Sequence, residues 1–414
     1  MLEKIYKIVA SIIFFISLPF VFIERVIHKK SFGWKQKFGN IKFPFKGEKV
    51  LMIHACSVGE VIAVENLIKE IHTRFPQYKL LLTTSTKTGQ DIANKKLKDF
   101  TDFIAYFPYD VPFAVNKFLD RVSPMAVFHV ETEIWPYFAY GCKRRNIPIS
   151  IINGRISDNT YNTYKFARSF FRQVFKNYHG VYVQSQEDFV KFAAIGMNKK
   201  RIEFMGNLKF NVKHQDIKID LAQEGYKVLI AGSTHKGENE IVLETFSKLK
   251  KDIPNLKLLI APRHLERVGD IESIAKSKKL TFGKRSKEDK FTQYDIIILD
   301  TLGELGKMYS VCDVAFIGGS FNKTGGHNPL EASIFYKPAL TGPSIHNFKD
   351  IYSILKNANA GIVLEKPEDL YTSLKELFTN DDLRIKMGDN CKNVFEVQKG
   401  AIDFVLKKIS EIEV

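Results

Sequence analysis

The chain has 414 residues, 45% of them hydrophobic, and a formal charge of +16 from 62 Lys and Arg against 46 Asp and Glu. That length exceeds what one core organises and predicts two or three domains of globular type. The basic excess favours anionic partners (nucleic acid, anionic lipid or phosphorylated small molecules) without choosing among them. Four scattered cysteines, Cys56, Cys142, Cys312 and Cys391, form no CxxC pair. They indicate neither a zinc site nor a disulfide framework, and they fit a reducing compartment.

The first element is an uncharged run, "IVASIIFFISLPFVFI" at 8–23. Sixteen helical residues span about 24 Å, short of a hydrocarbon core of roughly 30 Å. Extension to Ile5, with Lys7 snorkelling, nearly closes that gap. No small-residue cleavage site follows. Positions 24–49 then carry eight cations (Arg25, Lys29, Lys30, Lys35, Lys37, Lys42, Lys46 and Lys49) against Glu24 and Glu48. Such a flank stays cytoplasmic and favours anionic headgroups. The segment reads as an uncleaved membrane anchor, spanning the bilayer or lying in its interface, with a buried core helix as the alternative.

From residue 50 short apolar runs alternate with helical patterns. "KVLMIHA" reads as a strand, and the helix after it puts Val61, Val64, Leu67, Ile68 and Ile71 on one face. "YKLLLTTST", a polar helix from Gly89, "FIAYFP", "MAVFHV", "PISIING" and "GVYVQS" complete a first half. The rhythm restarts at "YKVLIAGST" (226–234) and runs through "LKLLIAPRH", "DIIILDT", "CDVAFIGGS" and "KPALTGP". Continuous apolar runs between helices predict parallel sheets covered on both faces. The expected domains are an anchor over 1–24, a doubly wound α/β domain over 25–206, a linker over 207–222, and a second doubly wound α/β domain over 223–414. The last helix could pack back on the first domain.

Ligands of such sheets bind beyond the carboxyl ends of the strands, and those ends are where the polar residues gather. "ACSVGE" (55–60), "STKTG" (85–89), "ETEIWP" (131–136) and "GRIS" (154–157) follow strands of the first half. "GSTHKGE" (232–238), "PRHLER" (262–267), "TLGEL" (301–305) and "GGSFNKTGGHNPLEA" (318–332) follow strands of the second. The concentration predicts a cleft between the two domains, with Ser233, Thr234, His235, Gly325 and Gly326 among its candidates. Gly325 and Gly326 allow a tight turn and close backbone approach. Asn328, Pro329 and Glu331 suit the start of a helix whose N–H groups could receive a phosphate; a well-made cap serving only structure is the other reading. Ser57 with Glu60, and Thr301 with Glu304, also fit the capping-box spacing. His235 and His264 read more readily as hydrogen-bonded loop residues, Arg267 as a surface charge and Trp135 as packing. No DxD, HExxH or GxxxxGK[ST] is present, so neither a metal site nor a phosphate-cradling P-loop is indicated.

In order and spacing, "SVGE", "ETEIWP", "NGRIS", "GNLKF", "STHKGE", "PRHLER", "GEL" and "GGHNPLE" together resemble the 3-deoxy-D-manno-octulosonic acid (Kdo) transferases of lipopolysaccharide assembly. The resemblance runs from the apolar segment nearly to the C-terminus. It implies a GT-B fold, two Rossmann-like domains facing across a cleft with an N-terminal membrane-anchoring helix. It also implies transfer of Kdo from CMP-Kdo to a lipid A precursor (lipid IVA) with inversion, without cofactor or metal. The place implied is the cytoplasmic face of a Gram-negative inner membrane, among anionic lipids. By motif, Glu60 would be the general base. Pro262, Arg263, Leu302, Gly303, Glu304, Asn328, Pro329, Leu330 and Glu331 would hold CMP. Glu131, Glu133 and Lys209 are further candidates. One departure is 29–40, "KKSFGWKQKFGN", less arginine-rich than the family pattern, which bears on membrane or acceptor contact. The alternatives are another membrane-associated GT-B transferase using a nucleotide sugar, or a membrane-tethered nucleic-acid binder. Against the latter, the cations are dispersed and no nucleic-acid motif occurs.

Overall fold

The apolar runs become strands of two fully parallel sheets. The structure, a computed structural model, describes residues 2–27, 33–211, 219, 221 and 225–412. Lys29, Lys30 and much of the expected linker lie outside those residues. The chain divides into two compact units, residues 1–211 with 398–414, and residues 212–397. The first unit thus runs to Asn211, and the second ends at 397.

In the first unit the strands are β1 (Val50–His54), β2 (Lys79–Thr84), β3 (Phe103–Tyr106), β4 (Ala126–Val130), β5 (Ile149–Gly154), β6 (Gly180–Val183) and β7 (Ile202–Phe204). Their order is β3-β2-β1-β4-β5-β6-β7. In the second unit they are β8 (Lys227–Thr234), β9 (Leu256–Pro262), β10 (Phe282–Lys284), β11 (Ile296–Ile298), β12 (Val314–Ile317), β13 (Ala339–Thr341) and β14 (Gly361–Val363). Their order is β10-β11-β9-β8-β12-β13-β14. Each order reverses beside the first strand of its unit, between β1 and β4 and between β8 and β12. Crossover connections diverge there and leave a crevice at the strand ends.

Both faces of each sheet are dry, which explains why the strands are not alternating in sequence. Val50 and Met52 of β1 enter one core, Leu51 and Ile53 the other. In β8, Leu229 and Ala231 face one core while Val228 and Ile230 face the second. The helix expected after β1 keeps its apolar face, with Val61, Val64, Leu67, Ile68 and Ile71 at most 1% exposed. It is broken at Val64 into Val58–Ala63 and Glu65–Arg74. The last helix, Ala401–Ser410, lends Ile402, Val405, Leu406 and Ile409 to the first unit's core.

The N-terminal apolar run lies in a helix over Leu2–Ile27. Among the described residues no helix is long and apolar enough to cross a membrane. This helix instead has two sides. Phe14 packs against Phe38, Tyr109 and Phe113, and Tyr6 donates its hydroxyl to Asp110 Oδ2 at 2.7 Å. On the other side Ile8, Ile12, Ile13, Phe15 and Ile16 are all more than half exposed. Asp110 also accepts the N–H groups of Tyr137 and Phe138 at 3.0 and 2.7 Å, so one carboxylate ties the N-terminal helix to the start of the helix after β4. Tyr6→Phe removes one bond to a charged group and should lower stability by about 1–3 kcal/mol, read as a shifted midpoint in chemical denaturation.

Candidate functional site

In the first unit the crevice between β1 and β4 is acidic. Glu60 sits in the first turn of the helix after β1, 8% exposed. Its Oε2 accepts the Cys56 N–H at 2.8 Å and its Oε1 accepts the Ser57 hydroxyl at 3.0 Å. This is not the reciprocal capping box that the spacing suggested. The Ser57 side chain makes no cap bond to the helix; it spends its hydrogen on the carboxylate. Thr301 and Glu304 repeat the pattern in the second unit, hydroxyl to carboxylate at 2.6 Å.

Glu131 and Glu133 follow β4. Glu133 Oε2 accepts the Trp135 indole N–H at 2.8 Å and lies 3.3 Å from His54 Nε2, an ion-pair distance without hydrogen-bond alignment. Trp135, read from sequence as packing, therefore orients a carboxylate. Burial works against the charged form of Glu133, but His54, Trp135 and His129 outweigh it and hold the carboxyl below its usual range. Glu60 responds in the opposite direction. Burial, then the charges of Glu133 and Glu131, push it up to about 8, against the pull of its two hydrogen bonds. Cys56 is pushed up to about 12 by burial and by the charges of Glu133 and Glu60. Cys56 Sγ and one oxygen each of Glu60 and Glu133 lie within 4.8 Å of one another, close enough to accommodate a cation.

Glu131 has φ 57, a backbone conformation that a glutamate adopts at a cost of about 1–2 kcal/mol. Its Oε1 is 3.4 Å from Lys209 Nζ. Lys209 is fixed by Asn207, whose side chain accepts the Lys209 N–H at 2.9 Å. The first unit thus brings together Glu60, Glu131, Glu133 and Lys209. Lys37 joins this end of the sheet. Although read as one of the basic flank, it is half-buried, donates to Ser85 O at 2.9 Å, and has its ammonium pushed down by burial against the pull of Cys56. Lys35, Lys42, Lys46 and Lys49 stay exposed.

In the second unit the crevice between β8 and β12 is built on Glu238, which sequence reading passed over. It is 1% exposed. Its oxygens accept the N–H groups of His235, Gly319, Ser320 and Phe321 at 2.7–2.9 Å. One carboxylate thereby fixes the loop after β8 against the loop after β12. Its sequence signals were its place at the end of "GSTHKGE" and its position three residues after His235 at the start of a helix, half of a capping box. Ser233 is held at φ 54, Thr234 is fully buried, and a Cβ on Gly318 would sit 2.6 Å from Ser233 O. Gly325 and Gly326 have φ 97 and 76, and a Cβ on Gly325 would collide with His346.

The remaining candidates fall on loops of the same unit. Pro262 ends β9 and is buried; Arg263 beside it is exposed, with its N–H bonded to Thr234 O at 2.9 Å. Leu302 is 81% exposed at a tip turned by Gly303 at φ 82. Glu304 lies 3.6 Å from Arg285 Nε. Asn328 Oδ1 accepts the Leu330 N–H at 3.1 Å, Pro329 and Leu330 are buried, and Glu331 is exposed, within the field of Arg263. The helix expected here is one turn, Leu330–Ser333, and Asn328 already caps its first N–H.

Comparison with known proteins joins these observations. Residues 32–212 match the family described as 3-deoxy-D-manno-octulosonic-acid transferase (kdotransferase). The chain is 32% identical over 378 residues to the 3-deoxy-D-manno-octulosonic acid transferase of Haemophilus influenzae, covering 89% of this chain and 88% of that one. To the protein of the same description from Rickettsia typhi it is 33% identical over 350 residues, 82% and 74% of the two chains. Among solved structures, MurG from Acinetobacter baumannii is similar with a TM-score of 0.54 at 13% identity, covering 88% of this chain and 99% of that one; this likeness concerns the fold alone. Sharing the family's sequence over most of its length and a two-sheet α/β fold like that of MurG, the chain belongs to the Kdo transferases and is a glycosyltransferase.

Proposed function

We propose that this transferase moves Kdo from CMP-Kdo to a lipid A precursor, lipid IVA, with inversion at the anomeric carbon, at the cytoplasmic face of a Gram-negative inner membrane. The observation that carries the reading is Glu60, a buried carboxyl at the fork of the first sheet, held near 8 by burial and two neighbouring acids. A base poised near neutrality is what proton abstraction from a sugar hydroxyl requires. Glu60 takes the acceptor's proton as the acceptor oxygen attacks the anomeric carbon. The bond to the CMP phosphate breaks, its electron pair leaves with CMP, and one displacement inverts the centre. The donor carries one phosphate rather than two, so Arg263 with Asn328 and the neighbouring loop residues can hold it without a divalent metal. Pro262, Leu302, Gly303, Glu304, Pro329, Leu330 and Glu331 shape the nucleotide's surroundings in this reading. Mass analysis of the product formed from CMP-Kdo and lipid IVA tests the whole proposal, and competition by CMP but not UDP separates it from other nucleotide-sugar transferases.

The acceptor is lipid-borne in this reading because the N-terminal helix keeps Ile8, Ile12, Ile13 and Ile16 more than half exposed while its other side is tied to the first unit. Such a helix suits the bilayer interface, with the exposed Lys35, Lys42 and Lys46 facing anionic headgroups. Ile13→Asp with Ile16→Asp should lower co-sedimentation with anionic vesicles at least about tenfold, since each buried isoleucine contributes about 1.5–3 kcal/mol. CMP binding should be unchanged.

Arg263→Ala should weaken CMP binding by about 1.5–3 kcal/mol, the usual value of a charge-assisted bond. Unchanged affinity by calorimetry in a folded variant would remove Arg263 from the donor site.

Turnover should rise with pH and level off above about 8, because Glu60 acts only when ionised. Stability runs the other way. Between 4.5 and about 8 the folded state keeps a proton on Glu60 that the unfolded state has lost. Stability therefore falls as pH climbs through that window, by at most about 1.4 kcal/mol per pH unit. Glu60→Gln should abolish both trends: turnover drops at least about 100-fold, and stability relative to wild type improves with rising pH. Initial rates and urea denaturation across pH read the two effects. Near-normal turnover would assign Glu60 to structure and move the base to Glu131 or Glu133.

A further inference from the structure

Three histidines gather at the strand ends of the second unit, and the mechanism above uses none of them. His235 follows β8, His264 follows β9 and His327 follows β12. His235 Nε2 and His327 Nε2 are 2.9 Å apart. Their rings are nearly parallel, with centroids 5.2 Å apart and planes at 18°. The His264 ring stands edge-on to His235 at 5.7 Å. Two Nε2 atoms at that separation share one proton. One ring donates Nε2–H, the other accepts with its lone pair and carries its own proton on Nδ1.

The surroundings favour an anion. The charged and titratable groups facing His235 are Glu238, His264, Arg263 and Arg267, and those facing His327 are His235, Arg263, Glu238 and His264. Glu238 is the one acid among them, and its oxygens are turned inward onto four backbone N–H groups. The exposed Arg263 has no hydrogen-bonded side-chain partner among the described residues. The pair is thus neutral, rigidly held through Glu238, and set among cationic groups.

We propose that His235 and His327, with Arg263, form the receptor for the phosphate of the nucleotide-sugar donor, and that the pair takes up one proton from solvent when that phosphate binds. This rests on the nucleotide-sugar donor proposed above and adds to it a site and a proton. On binding, the Nε2–H···Nε2 bond breaks, the accepting ring gains a proton, and each ring donates one Nε2–H to a phosphate oxygen. Before binding, burial holds both histidines below their ordinary range, His327 at about 4, so both rings are neutral near pH 7. The phosphate in contact, a monoanion in the donor's diester and largely a dianion in free CMP, supplies the opposite charge that favours protonation.

The test is calorimetric titration of the full chain with CMP at neutral pH in buffers of different ionisation heat, which counts protons directly. CMP's own phosphate has its second ionisation near about 6. A protein that merely selected the dianion would therefore release protons, and net uptake reports the histidines. The expected result is net uptake approaching one proton per CMP in the wild type. His327→Gln and His235→Gln keep an amide in place of Nε2 but cannot be protonated. Each should lose the uptake and bind CMP about tenfold or more weakly, while His264→Gln retains the uptake. CMP binding without net uptake, or uptake that persists in both His235→Gln and His327→Gln, overturns this inference and leaves the donor reading standing. No CMP binding at all would sink the donor reading and this one with it.

Discussion

A carboxylate buried at the fork of a parallel sheet must be satisfied by backbone N–H groups or share its space with other charges, and the two units meet that constraint in opposite ways. Glu238 takes the first course. Four backbone N–H groups from two loops converge on it, so its charge is met in place and the loops are locked in register. Glu60 takes the second. Two hydrogen bonds reach it, while Glu133 and Glu131 crowd it. A fully met carboxylate is a structural anchor, and a partly met one beside like charges holds a proton more tightly and is the stronger base once that proton is lost. Much else at each crevice follows from that difference.

The neighbours of Glu60 are themselves fixed from the core outward. His54 ends β1 fully buried, stacks on Phe107 at 3.9 Å, and has its Nδ1 3.1 Å from the Thr83 hydroxyl on the next strand. Its other nitrogen faces Glu133. Trp135 holds Glu133 from the far side. Glu133 therefore stays ionised, and the field of that fixed charge is part of what raises Glu60. Removing charge from Glu133 would act on Glu60 through space.

The sheets were legible because both faces are dry, so each long strand is an unbroken apolar run such as "VLMIH" or "LLIAP". Of the three-residue strands, the fully buried β11 and β13 sit in apolar runs and were legible, whereas β7, β10 and β14 are only partly buried and were not. Strand-end clusters were legible too, because the loops at that end of each sheet gather Ser, His and Glu densely. What those residues do to one another was not legible. Ser57 and Glu60 have capping-box spacing, yet the hydroxyl turns to the carboxylate instead of the helix. Glu238 meets Gly319 to Phe321, and Glu60 meets Glu133, only because β12 lies beside β8 and β4 beside β1. Lys37 sat in a run of cations and read as one more of them; the fold of 34–38 against Tyr106 and Tyr109 turns it inward. No local pattern encodes these meetings.

The two forks also differ in the charges they gather. The first sets acids around Glu60, and the second sets histidines beside an arginine. On the functional reading proposed above, these surroundings correspond to the two things the reaction must handle, a proton leaving the acceptor hydroxyl and a phosphate leaving with the donor. Their proton demands oppose each other. Glu60 must lose a proton before it can accept the acceptor's, which favours higher pH, whereas the histidine pair must gain one to hold the phosphate, which favours lower pH. Placing the two demands on separate sheets lets each carboxylate or histidine be tuned by its own buried neighbours. Within a single crevice, the acids that raise Glu60 would also raise the histidines and charge them before any donor arrived.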